Sequence, residues 1–388
     1  MQNFFYSIPT QVEFGKGAIA KLPEFVKKYG NRVLIVYGGG SIKRSGLYDT
    51  VVNLLDEHGI YHTELSGVEP NPRVTTADKG VEICRKENID VVLPVGGGST
   101  IDCAKAVAAG YYYDGTIWDL VKDHTLIKKA LPIITILTLA ATGSEMDTFA
   151  VITNMETNEK RGLGSPLVFP KYSILDPEYT YSVPKYQTAS GTADIMSHIF
   201  EVYFNGEKGA YMQERIMEGL LKTCIHYGPI ACEEPDNYEA RANLMWAASW
   251  AINGFIASGK AGVWSCHPME HQLSAYYDVT HGHGLAILTP VWMEYILSED
   301  TVDMFVNYGT AVFDIPKSMD KMAIAKEAIH RTREVYEAMG LSMTFRSIGI
   351  TDKENFEVMA EKAVENGTER CNVPLYKEDV MKIYELCF

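Results

Sequence analysis

Three times in its first 145 residues this chain runs a short, largely β-branched stretch into a glycine turn, and that repetition restricts the fold more than any other feature. Residues 32–37, R-V-L-I-V-Y, precede Gly38-Gly39-Gly40-Ser41. Residues 89–95, I-D-V-V-L-P-V, precede Gly96-Gly97-Gly98-Ser99-Thr100, and residues 132–138, P-I-I-T-I-L-T, lead into A-A-T-G-S-E ending at Glu145. Apolar runs of this length, cut off by glycine, read as parallel strands entering loops. Residues 47–58 and 102–109 have apolar positions at helical spacing. Strand, glycine loop and helix in repetition predict an α/β domain with a mostly parallel sheet.

Beyond about residue 180 the pattern changes. Long helical stretches are predicted over 187–204, 211–227, 238–258, 262–276, 284–298 and 320–339, with few strand-like runs between them. The segment L-D-P-E-Y-T-Y-S-V-P from Leu175 to Pro184 is the natural boundary. The expected domains are therefore 1–180, a dinucleotide-binding α/β domain, and 181–388, an all-helical metal-binding and substrate domain. At 388 residues the chain is longer than one core usually sustains.

Charge excludes some partners. With 35 Lys and Arg against 50 Asp and Glu, the formal charge of −15 works against nucleic acid and anionic membrane surfaces. Seven cysteines without a C-x-x-C pair argue against a disulfide framework. The N-terminal residues show no secretion signal, and no apolar run approaches membrane-spanning length. A cytoplasmic protein is expected.

The loop Gly96-Gly97-Gly98-Ser99-Thr100 lies between a strand and a helix. Its backbone can approach a ligand closely and offer N–H groups to a pyrophosphate, with Ser99 and Thr100 as added donors. Neither this loop nor the one at 38–41 is a G-x-G-x-x-G fingerprint or a Walker sequence. The first loop carries no carboxylate through residue 44, whereas Ser41, Lys43 and Arg44 could neutralise a 2′-phosphate. This favours NADP(H), with NAD(H) possible. The turn at 140–145, with hydroxyls at 138, 142 and 144, can close over phosphates or nicotinamide.

The second half carries metal-type residues. A spacing of four puts Asp194 and His198 on one helix face, able to reach one ion. Four of the ten histidines, His267, His271, His281 and His283, fall within seventeen residues. Asp194 with His198, His267 and His281 supplies the chemistry and number for one divalent metal, Fe(II) or Zn(II), and suits a hard magnesium site poorly. His271 and His283 crowd the same region.

With these motifs assembled, the chain resembles the iron-containing, or type III, alcohol dehydrogenase family, closest to its NADPH-linked aldehyde reductase and butanol dehydrogenase branch. The resemblance is carried by F-G-K-G at 14–17, G-G-G-S-I-K-R-S-G at 38–46, P-V-G-G-G-S-T-I-D-C-A-K at 94–105, T-L-A-A-T-G-S-E at 138–145, D-I-M-S-H at 194–198 and the histidine block at 267–284. It implies an α/β dinucleotide-binding domain followed by an all-helical one, a dehydroquinate synthase-like architecture. It also implies metal ligands Asp194, His198, His267 and His281, and a pyrophosphate loop at 96–99. The ribose turn is implied at 38–41, and further cofactor residues at Asp102, Thr138, Thr142 and Lys160. NAD-using members carry Asp where Gly39 stands. A homodimer is implied as well.

The implied reaction moves hydride between NADP(H) and a primary alcohol or aldehyde, such as butanol and butanal. His271, one helical turn beyond His267, is the expected catalytic residue, orienting substrate or relaying a proton. Trp246, Trp250, Phe255 and Trp264 favour a short aliphatic or mildly polar aldehyde. The rivals are a metal-dependent polyol dehydrogenase using NAD(H) and a noncatalytic nucleotide-binding regulator. The regulator would have no use for one Asp and three His.

Overall fold

The computed structural model describes all residues, Met1–Phe388. It contains β1 (Gln11–Phe14), β2 (Arg32–Val36), β3 (Tyr61–Leu65), β4 (Val91–Gly96), β5 (Ile134–Leu137), β6 (Phe149–Asn154), β7 (Glu159–Gly164) and β8 (Tyr172–Leu175). Six of these form one wholly parallel sheet in the order β1, β8, β5, β4, β2, β3. The other two, β6 and β7, make an antiparallel hairpin, tied to the loop before residue 73 by the Thr153 amide donating to the Pro72 carbonyl at 2.8 Å.

The unbroken apolar runs follow from burial on both sides. Alternation sends Val33 and Ile35 into one core cluster and Leu34 and Val36 into another. All four are fully buried, and each such side chain contributes about 2 kcal/mol. The chain leaves β2 outward to β3 and returns to β4 on the other flank of β2. Strand order therefore reverses between β2 and β4, the point at which an open α/β sheet binds ligands beyond its carboxyl ends. The glycine loops at 38–41 and 96–99 follow these two strands.

No strand follows Leu175. The helices Lys185–Tyr203, Tyr211–Glu233, Cys266–Tyr277, His281–Ile296 and Lys321–Ala338 fall where helical spacing predicts them. Phe200, Phe204, Phe305, Tyr308 and Trp292 pack together in their core. The two compact units are Ser7–Val183 with Asp236–Ser249, and Met1–Tyr6 with Pro184–Pro235 and Trp250–Phe388. The expected ranges, 1–180 and 181–388, are continuous; these units are not. Most of the helix Tyr238–Ile252 belongs to the α/β unit, where Met245 packs with Ile101, Leu137 and Leu175. All seven cysteines are buried free thiols. No helix is long and apolar enough to cross a membrane.

Candidate active site

Asp194 and His198 lie one turn apart on the helix Lys185–Tyr203, both nearly inaccessible to solvent. The Nε2 atoms of His198, His267 and His281 stand 3.5, 3.9 and 3.5 Å from Asp194 Oδ1. Donors bound to one tetrahedral ion at about 2.1 Å stand about 3.4 Å apart; Asp194, His267 and His281 form one mutually close group of donors, and His198 joins it through Asp194. Asp194 Oδ1 and His267 Nε2 are buried with no hydrogen-bond partner, a costly state that a metal ion relieves. Burial pushes His198 down to about 3, leaving the neutral imidazole that metal binding requires. One carboxylate and three imidazoles fit Fe(II) or Zn(II).

Two carboxylates that sequence reasoning missed orient this set. Glu201, three residues beyond His198, accepts the amides of Ser265 and Cys266 at 2.7 Å and of His267 at 2.9 Å. It therefore caps the helix Cys266–Tyr277 where the helix dipole favours negative charge. The same carboxylate meets His267 Nδ1 at 3.1 Å. Glu270, fully buried, accepts from Ser274 Oγ and pairs with His281 Nδ1. In both histidines the occupied Nδ1 leaves Nε2 turned to Asp194. Helical spacing was an available signal: Glu270 also lies three residues beyond a predicted ligand. Gly282 allows the close approach of the helix bearing His281, since a Cβ there would overlap the Ser190 carbonyl and lie 3.3 Å from Asp194 Cβ.

His271 stands with its ring 6.3 Å from that of His267 and 5.7 Å from that of His281. Glu270, His271 and His281 also form a group of possible metal ligands, but the bond from Glu270 to His281 Nδ1 identifies Glu270 as an orienting residue. His283 is a structural link: Tyr186 Oη is 3.0 Å from its Nδ1 and the Ser342 carbonyl 2.8 Å from its Nε2. Trp264 lies against the rings of His267 and His198, at 4.5 and 5.6 Å. Trp250 and Phe255 pack on each other, whereas Trp246 packs on Phe14 in the α/β unit.

In the α/β unit, Gly97 caps the helix Gly98–Gly110 with no side chain covering its leading amides. A helix N-terminus without a side-chain cap at the carboxyl end of β4 suits a pyrophosphate. Cβ atoms at Gly96 and Gly98 would overlap Thr100 and Thr142, and one at Gly97 would sit 3.1 Å from Leu139. The glycines thus also serve packing against the 138–142 turn. The expected hydroxyl donors are differently engaged. Ser99 Oγ donates to the Pro70 carbonyl, and Thr100 is buried with its side chain turned back on Gly96.

Asp102 is also buried, accepting from Ser144 Oγ at 2.6 Å and from the Val151 amide at 2.8 Å, and burial raises it to about 6. It holds the 144–151 segment behind the loop. The Thr138 amide donates to the Gly96 carbonyl at 3.0 Å, and Thr142 Oγ1 accepts from the Ser144 amide at 3.2 Å. Lys160 is buried on β7 opposite Thr153. On the first loop, Gly38 has the Val68 carbonyl 3.2 Å from a would-be Cβ, Gly39 has open space, and Gly40 adopts φ +91. Ser41 and Lys43 are exposed on the following turn, with Lys43 Nζ 3.5 Å from Glu64.

Residues 9–177 match the model of iron-containing alcohol dehydrogenase, and residues 188–388 match the C-terminal model of the Fe-containing alcohol dehydrogenase family. The NADH-dependent butanol dehydrogenase A of Clostridium acetobutylicum is 60% identical over 99% of both chains. The NADPH-dependent aldehyde reductase of Escherichia coli is 38% identical, over 95% of this chain and 94% of the relative. The crystal structure of the NADH-dependent butanol dehydrogenase A of Thermotoga maritima superposes with a TM-score of 0.94 at 40% identity, covering 100% of this chain and 99% of the other. The chain belongs to the iron-containing alcohol dehydrogenase family and is a metal-dependent, NAD(P)-linked alcohol dehydrogenase or aldehyde reductase.

Proposed function

We propose that this protein reduces short aliphatic aldehydes such as butanal to primary alcohols, with NADH preferred over NADPH and one divalent ion held by Asp194, His198, His267 and His281. The observation that carries the reading is the convergence of three Nε2 atoms, 3.5 to 3.9 Å away, on Asp194 Oδ1. The cofactor preference departs from the one read in the sequence. A relative at 60% identity is named NADH-dependent and one at 38% NADPH-dependent, and a carboxylate absent from residues 38–44 is supplied nearby by Glu64. The NAD(H) of the alternative reading is adopted without its polyol substrate.

When bound, the ion supplies Lewis-acid polarisation of a carbonyl oxygen and the nicotinamide supplies hydride. Asp194 contributes the negative charge of the ligand set, and Glu201 and Glu270 hold the imidazole tautomers. Trp264, against the His198 and His267 rings, gives an aldehyde chain an apolar wall. His271, beside the ligands, delivers the proton to the product oxygen, a transfer imidazole performs near neutral pH. The loops at 38–41 and 96–99 bind ribose and pyrophosphate. The outer edge of β1, the last strand of its sheet, supports pairing of two copies as a homodimer.

The test follows NADH and NADPH absorbance with butanal before chelation, after it, and after adding back Fe(II) or Zn(II). Turnover should vanish on chelation and return with one of the metals, with higher kcat/KM for NADH. Turnover indifferent to chelation would remove the metal from the mechanism, and no turnover with either cofactor would sink the substrate class.

A further inference from the structure

Three side chains converge on one carboxylate beside the ribose turn. Glu64, near the end of β3, is next to the β2 strand that feeds the first glycine loop. Its Oε2 accepts from Tyr37 Oη at 2.7 Å and Tyr48 Oη at 2.9 Å, and lies 3.5 Å from Lys43 Nζ. The same ammonium sits 4.9 and 4.4 Å from the ring centroids of Tyr37 and Tyr48. Lys43 is thus held by a carboxylate and two aromatic faces, and the two phenols fix the carboxylate in turn.

We infer that Glu64 is a specificity-determining residue for the dinucleotide: by engaging Lys43 and placing a negative charge beside the ribose turn, it disfavours a ribose 2′-phosphate and favours NADH. The inference rests on the dinucleotide reading above and deepens it. A 2′-phosphate is a multiply charged acceptor that must compete with Glu64 for Lys43 while being repelled by it; a 2′-hydroxyl carries no charge and meets neither cost. The hydrogen bonds, Tyr37 first, hold the Glu64 carboxyl below its usual range, so the charge is present at neutral pH. Gly39 leaves open space where a side chain would stand, so discrimination at this turn comes from charge rather than bulk.

Glu64→Gln isolates the charge, because the amide oxygen still accepts from both phenols. With the full chain, dissociation constants for NADH and NADPH are measured by nicotinamide fluorescence, independently of turnover. The variant should tighten NADPH by about fivefold relative to NADH, the scale of one partly exposed charge. Lys43→Ala should weaken NADPH binding more in the Glu64→Gln background than in the wild type, the coupling a double-mutant cycle reads. An unchanged NADPH-to-NADH ratio in Glu64→Gln overturns the inference. So does a gain that persists undiminished without Lys43. Should Glu64→Gln weaken both cofactors through misfolding, Lys43→Ala alone decides. Loss of most NADPH affinity would show that Lys43 already serves the phosphate and sink the idea; a loss of less than about threefold supports it. Absence of butanal turnover would fail the proposed reaction while the binding ratios still judge Glu64, whereas no saturable binding of either dinucleotide overturns both.

Discussion

The candidate metal cluster and the glycine loops are built by opposite means. In the helical unit, side chains do the work: Asp194 faces three histidines, and buried Glu201 and Glu270 fix two of their rings. In the α/β unit the backbone does it. The amides opening the helix Gly98–Gly110 carry no side-chain cap, while Thr100 and Asp102 face inward and Ser99 is tied to Pro70. Residue type and spacing therefore identify a side-chain site directly, but near a backbone site they mark the scaffold as readily as the contact.

Four substitutions grade this difference. His267→Ala should have the largest effect, cutting turnover at least about a hundredfold together with metal content, because only two imidazoles remain around a buried carboxylate. Elemental analysis beside kinetics checks it, and full metal occupancy in the variant would remove His267 from the ligand set. Gly282→Ala should come next. Its Cβ would meet main chain at Ser190 rather than a movable side chain, so the helix bearing His281 must shift. A cost of about 3 kcal/mol is the scale of such overpacking, read as a lower Tm, with weaker metal retention at temperatures where the variant stays folded. An unchanged Tm would show that the helices accommodate the methyl group.

Glu201→Gln leaves every ligand in place and changes only what orients them. Metal affinity should fall by about 10- to 100-fold, the usual effect of a partner behind a ligating histidine, measured by competition with a chelator of known affinity. Retained affinity with a lower Tm would reduce Glu201 to a helix cap.

Much of this was legible in the sequence. Apolar runs cut by glycine located β2, β4 and β5 within three residues, because burial on both faces leaves no polar interruption. The i,i+4 pair and the histidine cluster located the metal-type residues because few structural roles need that set. Three features were hidden for physical reasons. The helix Tyr238–Ile252 joins the α/β unit through Met245, and helical periodicity does not say which core an apolar face will enter. The side chains of Thr100 and Asp102 turn inward because the 138–151 segment folds over them, a long-range packing event. Glu64 is 21 residues beyond Lys43, and only the pairing of β2 with β3 brings the two together.

The smallest expected effect tests the scaffold behind the backbone site. Glu145 is fully buried, with Oε1 accepting from Ser249 Oγ and Oε2 without a partner. Burial pushes its carboxyl up to about 7. An unfolded glutamate titrates at about 4.3, so between the two values the folded chain binds more protons than the unfolded one. Stability from this group is full below the lower value and is lost as pH rises through the upper one. Asp102, raised to about 6 by the same cause, acts with the same sign, so Glu145→Gln should remove only part of the slope. The variant should match the wild type near pH 4 and exceed it near pH 8 by a few degrees in Tm. Because one pH series compares two chains that differ at one buried atom pair, the difference between their Tm curves isolates Glu145. Parallel curves would mean that Glu145 is ionised in the folded protein and that the network behind the glycine loop is charged, bringing the two sites closer in kind than their geometry indicates.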